Sequence, residues 1–237
     1  MKRILVLLLL MFPCIFCFAQ EFEIINEHRE QPTEFPKEFY FISNLFDESK
    51  GIKIADVKFY AHDNGNKNSL TPIFHSLWDK ANSMGANAFF VSKVEYDSDV
   101  TKFNIAVELY FLNENEIEEN FSLYPENIIV IMGNVNTSKK EKGKSFKLNK
   151  EKITLLPFEY IAYQNEVGET ATISVGGFLG TMVKIKGEEF KLPVILSLGG
   201  LSARPMVGYG GGGISFSNGS ITQMDLNLGL FLMDVLK

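Results

Sequence analysis

Between residues 70 and 84 the apolar positions recur at helical spacing. Leu70, Phe74, Leu77, Trp78, Ala81 and Met84 fall at i, i+4, i+7, i+8, i+11 and i+14, which places them in one stripe on one helix face. The pattern predicts a helix over 70–84 with Trp78 in its core stripe. Thr71 is the expected cap, Pro72 suits the first turn, and Gly85 can take the left-handed backbone that ends a helix. After the stop the period changes to two. Phe89, Phe90 and Val91 open one strand. Phe103, Ile105, Val107, Leu109 and Phe111 then alternate with Asn104, Ala106, Glu108 and Tyr110, the mark of a strand with one face on a core. Upstream, 52–60 alternates imperfectly, with Ala55, Val57 and Phe59 opposing Asp56, Lys58 and Tyr60. Together these elements predict a β-α-β-β unit over 51–112.

The remaining chain divides around this unit. Residues 20–50 are charged and hold Pro32 and Pro36, which reads as an extended lead-in, with a short strand at Phe39–Ile42 and a turn at 47–51. Residues 113–126 begin with four Glu and three Asn in eight positions, which reads as an acidic, solvated link. From 127 to 237 the pattern is of short apolar runs separated by turns: 127–132, 145–148, 153–156, 159–163, 170–175, 181–186, 194–198 and 214–222, the last broken by the hairpin signal Asn218-Gly219. These predict a small β-sandwich or partly open barrel. Residues 226–236 are apolar and fit either a helix capped by Asp225 or a strand, since Gly229 is unfavourable inside a helix. The fold class expected is α+β.

The N-terminus has a different logic. Lys2 and Arg3 precede an unbroken apolar run from Ile4 to Phe12, and Cys17-Phe18-Ala19 ends in a small residue. This is the layout of a secretory signal peptide over 1–19, cleaved after Ala19. A membrane anchor is the alternative, but 4–19 is short for a bilayer span of about 20 residues. Lipidation of Cys14 or Cys17 is another, although neither follows a small residue. Export to the periplasm, cell surface or medium is the expectation, with no transmembrane span after leader removal. Both cysteines lie in the leader, so the mature chain could form no disulfide, zinc–thiolate site or cysteine nucleophile. Losing Lys2 and Arg3 leaves 21 basic against 29 acidic residues, a net charge of −8. That balance disfavours nucleic acid, which needs clustered cations.

Several stretches hold candidate chemistry. Gly208-Tyr209-Gly210-Gly211-Gly212-Gly213 matches G-x-G-x-x-G, but a strand follows it where a dinucleotide site needs a helix; a freely turning loop is the expectation, and no cofactor is assigned. His28, His62 and His75 are the three histidines. None accompanies a nucleophile elbow. Asp63-Asn64-Gly65-Asn66-Lys67-Asn68 has the look of a calcium loop, yet Lys67 replaces an oxygen ligand and no Glu closes it. No metal site is assigned. Phe158, Tyr160 and Tyr163 are the candidate ligand-binding residues: an aromatic platform for a glycan or protein, with Phe158 and Tyr160 on one strand face and Tyr163 on the other.

Leu77 to Phe90, with its Gly85-Ala86-Asn87-Ala88, resembles a motif of small bacterial α/β domains. The motif occurs in a heavy-metal-binding family of dodecin-like shape and in envelope stress-sensor lipoproteins. The resemblance spans about 52–111 and implies a β-α-β-β sheet with one helix. It does not extend to metal binding, because no Cys lies there and His62 and His75 lack ligand spacing. Residues 127–236 loosely resemble small all-β surface modules of exported bacterial proteins, through Val167-Gly168-Glu169-Thr170-Ala171-Thr172-Ile173. The function expected is that of an exported, non-enzymatic module binding an envelope protein or glycan. The alternative is an envelope polysaccharide hydrolase using paired carboxylates, and pairing of open sheet edges between copies is a third course.

Overall fold

A computed structural model describes residues 21–27, 38–61, 70–96, 103–135, 143–176, 180–199 and 221–237. The fold is α+β and rich in strand, with three helices and three sheets among the described residues. The first sheet has five strands in the order β1-β3-β5-β4-β2: β1 (Glu21–Glu27), β2 (Tyr40–Phe41), β3 (Ile52–Ala61), β4 (Ala88–Tyr96) and β5 (Phe103–Phe111). Helix α1 (Leu70–Ser83) joins β3 to β4. The segment expected as an extended lead-in therefore supplies both edge strands: β1 pairs antiparallel with β3, and β2 pairs parallel with β4.

The imperfect alternation of 52–60 has a local cause. The β3–β5 register runs Lys53↔Tyr110 and then Ala55↔Leu109. Ile54 is the extra residue of a β-bulge, and both Ile54 and Ala55 are buried. A similar shift falls between Val91 and Lys93 on β4.

Helix α1 buries Leu70, Ile73, Phe74, Leu77 and Ala81 against the first sheet. Thr71 is the second helical residue and is buried, so the helix begins one residue before the expected cap. Trp78 is half-buried at the margin of this core, its ring stacked 6.3 Å from Phe39 and edge-on 6.1 Å from Phe74. Gly85 takes φ +83°. Asn87 both accepts from the Leu112 N–H and donates to the Leu112 carbonyl, each at 2.7 Å. Ala86 and Ala88 are fully buried in the cores on either side of this turn. Each residue of Gly-Ala-Asn-Ala thus has a structural task.

The acidic segment expected to be a solvated link is a helix. α2 (Glu114–Ser122) starts with a capping box: Asn113 accepts from Glu116 N–H and Glu116 accepts from Asn113 N–H. Its acids face outward while Ile117 packs with Tyr40, Ile42, Tyr110 and Leu112. Asn120, fully buried, accepts from Ser43 N–H and donates to the Phe41 carbonyl. The eight-residue composition disguised a helix whose apolar contact is narrow.

The second sheet is ordered β13-β12-β6-β9 and the third β11-β10-β7-β8. Their strands are β6 (Ile128–Met132), β7 (Lys144–Leu148), β8 (Glu151–Leu155), β9 (Tyr160–Gln164), β10 (Thr170–Val175), β11 (Thr181–Lys186), β12 (Val194–Ser197) and β13 (Thr222–Gln223). The second sheet is buried on both faces. Val130, Met132 and Ile195 join the core of the first sheet and α1, while Ile129, Ile131 and Leu196 pack against Phe146, Ile173 and Ile185 of the third sheet. Two buried faces explain why β6 reads as an unbroken apolar run. The C-terminal segment is a helix, α3 (Leu226–Val235), capped by Asp225. Its Phe231 lies 5.6 Å from Phe74 and 6.1 Å from Phe89, and Asn227 accepts from Phe41 N–H. Glycine at 229 lets the helix approach Ile195 of β12. The hairpin signal at 218–219 lies outside the described residues.

Candidate functional site

The three aromatic candidates do not share a surface. Phe158 and Tyr160 are half-buried and pack on the core of the first sheet and α1. Tyr163 is half-buried on the opposite side, packed on the core between the second and third sheets. Its hydroxyl accepts from Asn149 Nδ2 at 3.0 Å, which braces β9 against the β7–β8 turn. Strand alternation thus splits the trio. His75 is half-buried on α1 beside Phe74. His28, His62, the loop 63–68 and the glycines 208–213 lie outside the described residues. Among the described residues no group of three or more His, Cys, Asp or Glu is gathered as for a metal ion, and no helix is long and apolar enough to cross a membrane.

One pair of facing carboxylates lies on the outer face of the first sheet. Asp56 and Glu108 are cross-strand partners. Lys53 Nζ stands between them, 2.8 Å from Asp56 and 2.7 Å from Glu108. Burial lowers the Lys53 pKa, but its hydrogen bonds to Asp56 and Glu108 outweigh that and hold the ammonium above its ordinary value. The Tyr110 hydroxyl donates to Glu108 at 2.7 Å, and burial followed by that carboxylate drives the phenol pKa upward. The shared lysine holds both carboxylates, so this arrangement serves to tie β3 to β5.

A different feature was not legible in the sequence. Phe190, in the loop between β11 and β12, is 81% exposed at φ +58°. The left-handed region costs an L-residue about 1–2 kcal/mol, and is a true outlier for a bulky side chain. The loop is nonetheless pinned. Asn127, itself left-handed at φ +57° and buried, donates from Nδ2 to the Glu188 carbonyl at 2.8 Å and accepts from Glu188 N–H at 2.9 Å. Its own N–H donates to the Lys191 carbonyl at 2.8 Å. Phe190 N–H donates to Glu126 at 3.1 Å. Asparagine tolerates this backbone and has both donor and acceptor on one short stem, which suits it to close such a clamp.

A second segment meets the same region. Val167 bridges to Gly187, whose N–H donates to the Glu169 carbonyl at 2.8 Å. A Cβ at Gly187 would lie 2.1 Å from the Glu166 carbonyl oxygen, so only glycine admits this crossing. Val167 is 56% exposed. Two exposed apolar side chains are thus carried on turns fixed by the Glu126–Asn127 hub and its neighbours. Fixed polar scaffolding under an exposed aromatic is an arrangement suited to binding rather than to proton transfer. Sequence signals existed only in part: Glu188-Glu189-Phe190-Lys191 places an aromatic among charges, but nothing local marks Asn127 as its partner 61 residues away. No family model, no curated protein and no solved structure matches the chain.

Proposed function

We propose that this protein is an exported, non-enzymatic binding module that presents the Phe190 loop to a protein partner of the cell envelope. The reading takes 1–19 as a cleaved leader, 51–112 as a β-α-β-β domain and 127–237 as a β-sandwich. The consecutive β3, α1, β4 and β5 favour the first unit and the core shared by the second and third sheets favours the second, while β1 and β2 add strands to the first sheet from outside 51–112 and α3 packs into its core. One observation carries the functional reading: Phe190 is exposed and backbone-strained, yet its loop is held by four hydrogen bonds from Glu126 and Asn127. Strain of this kind persists where surrounding structure over-determines it, and such sites are often functional. A preformed aromatic anchor binds without the entropy cost of ordering it.

The test is affinity capture from native envelope extract with immobilised wild-type protein and a Phe190→Ser variant, followed by mass spectrometry. A specific protein retained by the wild type and lost by the variant, with the variant's melting temperature equal or higher, is expected. The same recovered set from both proteins would overturn the assignment of Phe190 as the anchor.

A further inference from the structure

The outer face of the third sheet has a character unlike the rest of this acidic chain. Alternation along its four strands turns Phe146, Leu148, Leu155, Ala171, Ile173, Val183 and Ile185 inward. It turns Lys147, Lys152, Lys184 and Lys186 outward, all exposed. The register places the outward residues in rows. Ser174 lies opposite Lys147, and Lys147 opposite Lys152. Thr172 lies opposite Lys184, and Thr170 opposite Lys186. In the next row Ser145 and Thr154 share a hydrogen bond of 2.7 Å. The face therefore mixes ammonium and hydroxyl groups, and no Asp or Glu has outward parity on these strands; Glu151 stands at a strand start on the inward parity. None of the four lysines makes an ion pair among the described residues.

Edge protection explains part of this. β11 and β8 are edge strands, and lysine on an edge discourages pairing with other sheets. It does not explain Lys147, which sits on the interior strand β7, nor its placement directly across from Lys152, since like charges in that position repel. Both are accounted for if the face receives an anion. Strand spacing of about 4.8 Å and a rise of about 3.4 Å per residue spread the four cations over roughly 14 by 14 Å, since Lys186 stands four residues along β11 from the row of Lys147 and Lys152. That area is too broad for one small anion and matches an extended one.

We propose that this face binds an anionic polysaccharide, a chain bearing carboxylates at sugar-length intervals. The hydroxyl rows decide the class. Ser and Thr both donate and accept, which suits sugar hydroxyls between the acidic groups. Among the described residues the outward positions of these four strands hold no aromatic to stack bases, as single-stranded nucleic acid requires. Among those positions Met182 is the one large apolar side chain, too little to enter a bilayer as interfacial binders do. The face adjoins the Phe190 loop at Lys186, whose carbonyl accepts from Lys191 Nζ, but the inference does not depend on the reading of that loop.

The test titrates alginate, a polyuronate, into the purified protein while backbone amide shifts are followed. Shifts confined to β7, β8, β10 and β11, and an affinity that falls as salt rises, are expected. The variant Lys147→Gln/Lys152→Gln/Lys184→Gln/Lys186→Gln should bind roughly tenfold or more weakly, since each cation lost removes a charge contact. Phe190→Ser should bind alginate as the wild type does. Shifts centred elsewhere, equal affinity for neutral dextran, tighter binding to phosphatidylglycerol vesicles, or an undiminished quadruple variant would each overturn the proposal. The wild-type shift map answers the question even if the quadruple variant folds poorly.

Discussion

Gly229 sits inside α3, where alanine would ordinarily favour the helix by about 1 kcal/mol. The packing opposes that gain. A Cβ at 229 would meet Ile195 at 2.3 Å from Cδ1, 2.9 Å from Cγ2 and 3.0 Å from Cβ. Ile195 is 1% exposed on β12, which is held between β13 and β6. The Cδ1 contact could be relieved by a rotamer change, but the Ile195 Cβ moves only with its backbone. Gly229→Ala must therefore push α3 off β12 or distort the strand, and overpacking of this kind costs about 1–3 kcal/mol. After the propensity gain of about 1 kcal/mol, a net loss of up to about 2 kcal/mol is expected, or up to about 8 °C in melting temperature for a chain of this size. Urea unfolding at unchanged m gives the free energy directly. Ile195→Val removes the nearest atom and alone should cost about 0.5–1.5 kcal/mol. Combined with Gly229→Ala, the loss should be smaller than the sum of the two, as expected for touching residues. If Gly229→Ala were stabilising by the full propensity gain of about 1 kcal/mol, α3 would not lie against β12 at this distance, and the joint core of the first two sheets would be wrong.

Asn127→Ala removes both side-chain bonds to Glu188 and puts alanine at φ +57°; a loss of about 2–4 kcal/mol follows from orphaned buried groups and strain, and amide exchange at 188–191 should accelerate before global unfolding. Trp78→Ala should cost about 2–3 kcal/mol, below the usual range for a fully buried aromatic, because the ring is only half-buried; a fall of under 1 kcal/mol in urea unfolding would place it outside the core. Burial raises the Asp225 pKa, against its bonds from Leu228 and Asn227 N–H and the nearby His75 charge. A carboxyl whose folded pKa is raised favours the folded state when protonated and loses that advantage as pH climbs from 3.8 through the raised value. Asp225→Asn keeps the cap, so it should raise stability at pH 7 and lose that gain as pH falls towards 3.8; a constant difference across that window in urea midpoints would contradict the burial argument.

Much of the fold follows from local pattern. The α1 stripe and the alternation of β5 each have one buried face, so period alone locates them. The runs at 170–175 and 181–186 coincide with β10 and β11 for the same reason. Gly85 could be read as a helix stop because its left-handed backbone is a local property. The candidate site was less legible. Phe158, Tyr160 and Tyr163 stood out by composition, but which core each would meet depends on layers that lie far apart in sequence.

What the sequence determined by itself was the set of short-range choices: period, caps, turn residues and the sign of the charge. The helix at 114–122 has a local start signal in the Asn113–Glu116 capping box, but only the tertiary structure gave it a buried side, through Ile117 and through Asn120 reaching the backbone of residues 41 and 43. Only the tertiary structure made Gly229 acceptable in α3, since the compensation is close contact with Ile195. The same holds for the Phe190 loop, which is fixed by an asparagine 61 residues away, and for the lysine face, which exists only once four strands are placed in register. Local preferences act over a few residues, whereas these features arise from pairings between distant segments, and no pattern within either segment encodes the other.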